Sequence, residues 1–92
     1  MSDLCKEVEN FGKGIGSVPR YRIIQALTRG TKTVNELVAI TGLSQPAVSQ
    51  HLKLLKSYNL VSSQRKGQEV FYAINTAHAL ELLKNLVQEI KK

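Results

Sequence analysis

The chain has little with which to cross-link or anchor itself. Its 92 residues hold one cysteine, two prolines, three tyrosines, two phenylalanines and no tryptophan. One cysteine excludes any disulfide within a single chain. No apolar run approaches the roughly 18 residues of a membrane-spanning helix. The opening MSDLCKEVENF lacks the apolar core of a signal peptide. We therefore expect a cytoplasmic protein with no membrane partner. Two histidines, one cysteine and seven scattered acids make no catalytic constellation, so neither an enzyme nor a cofactor is expected. The scarcest feature is acid in the middle of the chain. Between residues 10 and 68, Glu36 stands alone against nine bases, a balance of +8. Residues 1–9 carry −2 and residues 69–92 sum to zero. A basic middle between neutral or acidic ends points to a polyanionic partner, double-stranded DNA, and leaves the ends for another task.

What is present is an ordinary globular composition, 42% hydrophobic and 22% charged. The length fits one domain, residues 1–92. A chain this short buries only roughly 60–65% of its unfolded surface, so self-association is an expected remedy.

The chain is organised around residues 33–58, TVNELVAITGLSQPAVSQHLKLLKSY. Val34, Leu37 and Ile40 have helical spacing, as do Val48, Leu52 and Leu55. Thr33 and Glu36 fit a capping box at the first helix start, and Gly42 suits the left-handed position that ends it. Ser44 caps a second helix over 44–58, where Pro46 forfeits only an unpartnered amide. Two such helices, closed by Leu43, make a helix-turn-helix whose second member enters a DNA major groove. Leu37, Ile40, Leu43, Val48, Leu52 and Leu55 are its expected core.

Upstream, residues 2–13 read as a helix capped by Ser2 or Asp3, with Leu4, Val8 and Phe11 in one stripe. Glycines 12, 14 and 16 predict a loop over 12–17. The next helix starts at Pro19 with Ser17 or Val18 as cap, carries Tyr21, Ile24 and Leu27 backed by Ile23 and Ala26, and ends at Gly30. Downstream, 61–65 and 69–74 read as strands around Lys66, Gly67 and Gln68, with Val70 and Tyr72 alternating against Phe71 and Ala73. A last helix from about residue 75 carries Ala79, Leu83, Leu86 and Ile90 in one stripe, widened by Leu80, Leu82 and Val87. The predicted fold is mostly α with a small β-hairpin: a winged helix-turn-helix in the order α-α-α-α-β-β-α. Its terminal helices hold more apolar surface than a small core covers. Leu4, Val8, Phe11, Ala79, Leu83, Leu86, Val87 and Ile90 are therefore expected at a two-fold homodimer interface.

Stepping about 100° per residue, Ser49, Gln50 and Lys53 lie opposite the apolar stripe of the second helix. Gln50 offers a donor and an acceptor to adenine, Ser49 a short adaptable contact, and Lys53 a cation for phosphate or guanine. Ser44 and Gln45 stand at the end that meets bases or phosphates. His51, at the stripe's edge, either packs as a surface histidine or contacts a phosphate. Arg65 and Lys66, on a wing over 61–74, would reach the neighbouring groove or backbone. A winged helix that binds protein through the same surfaces is the competing reading, and the acid-free middle argues against it.

The run LSQPAVSQHLKLL at 43–55 resembles the recognition helix of the ArsR/SmtB family of small winged-helix repressors. RYRIIQAL at 20–27, Asn59-Leu60-Val61, and residues 67–72 extend the similarity along nearly the whole chain. The resemblance implies a homodimeric repressor with terminal helices at the interface, released from a palindromic operator by an inducer. The family's thiolate metal site would fall where this chain has Val34, Asn35, Glu36 and Leu37, so it is absent. At the family's other site His78 matches, while Thr76, Glu89 and Lys92 depart from the expected ligands. No metal is therefore expected, and a regulator without an inducer stays open. Cys5, beside Lys6, is the remaining sensor candidate, by oxidation or a bridge across the dimer.

Overall fold

The helix pair at the centre owes its definition to its ends. In the computed structural model, which describes residues 2–91 (side chains from Leu4 onward), α3 (Val34–Thr41) opens on a reciprocal capping box. The Glu36 amide donates to Thr33 Oγ1 at 3.2 Å, and the Thr33 amide donates to Glu36 Oε1 at 2.8 Å. Gly42, at φ 76°, closes the helix in the left-handed region, where a side chain is strained. Two residues later Ser44 Oγ accepts the Ala47 amide and α4 (Gln45–Ser57) begins, with Pro46 in its first turn. Its far end is a Schellman motif. Asn59 takes φ 64°, its amide donates to the Lys56 carbonyl, and the Leu60 amide reaches back to the Leu55 carbonyl.

Around this pair lie α1 (Ser2–Ile15), α2 (Val18–Leu27), the strands β1 (Val61–Lys66) and β2 (Glu69–Ile74), and α5 (Thr76–Lys91). The element order is the one the sequence predicts. The core is Ile23, Ala26 and Leu27 of α2, Leu37 of α3, Val48, Leu52 and Leu55 of α4, then Leu60 and Val61. One expected core position, Ile40, and one residue of the expected α2 stripe, Tyr21, are not there. Ile40 is 56% exposed: it and Val34 flank Leu37 by about 60° on opposite sides, and the core covers only Val34's side. Tyr21 is 51% exposed, because Ile23, Ala26 and Leu27 set the buried direction of α2 and Tyr21 lies about 160° from it. Leu43 is half-buried against the core.

The loop predicted over 12–17 is also corrected. Helix α1 continues through Gly12 and Gly14 to Ile15. Gly14 is buried, and a Cβ there would collide with the Leu60 side chain, so the glycine permits docking rather than ending the helix. The Arg20 guanidinium donates to the Lys13 carbonyl at 2.9 and 3.3 Å and ties α1 to the start of α2. The Ser2 or Asp3 cap falls on side chains outside those described. Ser17 caps α2 without a side-chain hydrogen bond.

The hairpin pairs Val61 with Ile74 through to Lys66 with Glu69, across a two-residue loop whose Gly67 takes φ 65°. Burial in β2 does not alternate as expected: Val70 to Ile74 are all half-buried. The strand has a second neighbour, since Lys32 and Tyr72 exchange backbone hydrogen bonds at 3.0 and 2.8 Å. Helix α5 packs on α1 and turns only Leu82 fully inward. The expected stripe therefore divides. Ala79 and Leu86, within about 60° of Leu82, are half-buried, while Leu83 is 61% and Ile90 82% exposed. No helix among the described residues is long and apolar enough to cross a membrane.

Candidate nucleic-acid interface

With Val48, Leu52 and Leu55 locked into the core, the opposite side of α4 is fixed in direction. Ser49, Gln50 and Lys53 are exposed there, Gln45 is exposed at the helix start, and the helix contains no acid. Their donors and acceptors fit base edges, and the lysine fits a base acceptor or a phosphate. Ser44 is exposed beside them, but its oxygen already accepts the Ala47 amide at 3.3 Å. It sets the helix start and keeps only its hydroxyl proton for an anion.

His51 is half-buried and lies toward α2. Burial first, and then the positive charge of Arg20, holds its pKa below the usual value for histidine. The ring is therefore neutral at pH 7 and offers a hydrogen bond rather than a charge.

Alternation along β1 separates the two wing bases. Arg65 shares a face with Ser63 and Val61, and Lys66 lies on the other face with Gln64. The Ser63 hydroxyl accepts a 2.6 Å hydrogen bond from Lys56 Nζ of α4, so Arg65's face is the one toward that helix. Lys66 Nζ sits 5.7 Å from the centre of the Phe71 ring, a cation–π contact on the far face. A shallow concavity of about 250 Å³ opens between the starts of α3 and α4 and strand β2, lined by Thr33, Asn35, Gln45, Gln68 and Glu69 among others. The wing thus carries one acid at its tip.

Sequence reasoning missed three parts of this framework. The Lys56–Ser63 strut joins residues seven apart across a change of structure and leaves no sequence signal. The Lys32–Tyr72 bridge spans 40 residues and leaves none either. Asn59 was legible, since asparagine after a helix is a common left-handed cap. Its side chain does more: Asn75 Nδ2 donates to Asn59 Oδ1 at 2.9 Å, while Asn75 Oδ1 accepts the His78 amide and caps α5.

On the terminal helices Leu4, Phe11, Ala79 and Leu86 are half-buried, and Phe11 packs against the protein's own core. Val8, Leu80, Leu83, Val87 and Ile90 are exposed. The positions compared for a metal lie far apart: His78 and Glu89 are separated by about 16 Å of helix rise, and Lys92 is outside the described residues. Cys5 is exposed on α1.

Comparison with known proteins places this geometry. Residues 18–63 match the model of the arsR family of bacterial regulatory proteins. The chain is 33% identical over 69 residues to the transcriptional repressor SdpR of Bacillus subtilis, covering 75% of this chain and 77% of that protein. Among solved structures it is similar to the transcriptional repressor BigR from Xylella fastidiosa, with a TM-score of 0.75 and 30% identity over 96% of this chain and 90% of that one. A homodimeric winged helix-turn-helix DNA-binding domain from Mycobacterium bovis, a possible ArsR-family regulator, gives a TM-score of 0.78 at 28% identity, over 96% and 83%.

Proposed function

Because the chain belongs to the arsR family of bacterial regulatory proteins, we propose that it is a homodimeric, sequence-specific DNA-binding repressor of transcription working in the cytoplasm. Helix α4 lies in the major groove, where Gln50, Ser49 and Lys53 meet base edges, with Gln45 at the entering end. Arg65 contacts the sugar-phosphate backbone from the wing, and Ser44 adds its hydroxyl at the helix start. Lys66, held over Phe71, makes the weaker contact. His51 packs against α2 and accepts or donates one neutral hydrogen bond. The exposed apolar side chains of α1 and α5 meet their counterparts across the two-fold axis.

The observation that carries the reading is the fixed, acid-free outer face of α4 beside a wing tied to it by Lys56 and Ser63. The α3 caps support it, since they fix the helix against which α4 is braced. Selection of bound duplexes from a random library tests it. The expected product is a palindrome with half-sites about 34 Å apart. Binding with no sequence preference, or none at all, would remove the proposal.

A further inference from the structure

A second concavity, of about 600 Å³, lies between α2 and the end of α3 and includes none of the residues assigned to DNA or to the terminal helices. Arg22, Gln25 and Ala26 of α2, continued by Arg29 in the turn that follows it, form its first wall. Arg20, which is spent on Lys13, lies about 200° round the helix from Arg22. Among the described residues, Arg22 and Arg29 make no hydrogen bond or ion pair through their guanidinium groups. Lys32 adds a third cation, its Nζ folded to 3.4 Å from the carbonyls of Gly30 and Thr31.

The facing wall is apolar. Ile40 is half-exposed into it, and the neighbouring Thr41 hydroxyl is occupied, donating to the Leu37 carbonyl at 2.6 Å and accepting the Leu43 amide at 3.2 Å. No acidic side chain lines the groove. Two free guanidinium groups favour an oxyanion held bidentately. An uncovered branched side chain opposite them favours an apolar body. The volume is in the range of small-molecule sites, roughly 300–1,000 Å³.

We infer that this groove binds a small amphipathic anion: a carboxylate, sulfonate or phosphate monoester on an aryl or branched apolar body. Arg22 and Arg29 hold the anionic head, and Ile40 covers the body. The inference stands apart from the DNA-reading proposal, and its test uses no DNA. The full chain, labelled with ¹⁵N, is titrated with benzoate, benzenesulfonate, phenyl phosphate, benzamide and inorganic phosphate. At least one of the three aryl anions is expected to move the amides of Arg22, Gln25, Ile40 and Thr41 saturably. Neutral benzamide should bind at least about tenfold more weakly, the loss of hydrogen bonds to charge. R22Q/R29Q should abolish the response with the rest of the spectrum unchanged, and I40S should weaken the aryl anions while leaving inorganic phosphate as it was. Three results would overturn the inference: no saturable shift with any aryl anion, equal binding of benzamide, or inorganic phosphate binding as tightly as the aryl anions, which marks a bare-phosphate contact instead.

Discussion

Arg65 and Lys66 are adjacent in sequence and carry the same charge, yet the strand turns them to opposite faces. Their expected effects differ for that reason. Arg65→Ala should weaken binding to all duplexes about equally and, by removing one phosphate contact from each protomer of the dimer, lower the log–log salt slope by about 1.8. Lys66→Ala should do less on both counts, because its ammonium is engaged with Phe71. Gln50→Ala should instead relax preference at one base position. Competition binding at two salt concentrations separates the three, and a larger effect at Lys66 than at Arg65 would reverse the assignment of faces. His51 gives a different test at the same scale. Its pKa is lowered by burial and by Arg20, so the folded state disfavours its protonation. The stability it contributes is fully present above its unfolded pKa, about 6.5, and is lost as pH falls through the lower folded value. Urea midpoints should therefore fall on acidification below about pH 6.5, and less steeply in His51→Gln. DNA affinity should show no step attributable to His51 between pH 7 and 8.

Elements were legible where their ends carry chemistry. Thr33, Glu36, Gly42 and Ser44 fix both ends of α3 and the start of α4 through local hydrogen bonds and one left-handed residue, and each is visible within a few positions of sequence. Periodicity placed Leu37, Val48, Leu52 and Leu55 correctly. It failed at Ile40 and Tyr21, because a stripe shows which side chains could face a neighbour and not how wide the neighbour is. The reading of α1 failed for a related reason. Glycine is a poor helix former by itself, but Gly14 faces Leu60 across an approach that no sequence window contains. The two helical glycines should therefore respond oppositely to alanine. Nothing lies within 4 Å of a Cβ at Gly12, so Gly12→Ala should stabilise by about 0.5–1 kcal/mol. Gly14→Ala forces the Leu60 side chain aside and should destabilise by about 1–3 kcal/mol. Urea denaturation of the pair checks this, and equal gains in both would show that Leu60 moves away freely.

The molecule as a whole is longer than its length requires. Its radius of gyration is 14.1 Å and it extends 46 × 26 × 21 Å, against about 12 Å expected for a compact chain of this size. The excess belongs to an architecture in which α5 gives only Leu82 fully to the core while Leu80, Leu83, Val87 and Ile90 stay in solvent. Four large apolar side chains along one helix form a continuous patch of the kind that marks an interface. Leu83→Glu with Val87→Glu should therefore yield a folded single-chain species, because neither residue touches the core. Sedimentation should report the mass of two chains for the wild type and one for the variant, with circular dichroism unchanged. The same substitution should alter DNA binding in a defined way. A dimer making about eight phosphate contacts gives a log–log salt slope near −7, and a monomer making half as many gives about −3.6. Loss of affinity with the slope unchanged would show that dimerisation and DNA contact are not linked through α5. A wild-type mass equal to one chain at micromolar concentration would remove the dimer altogether, and leave the exposed leucines of α5 to some other partner.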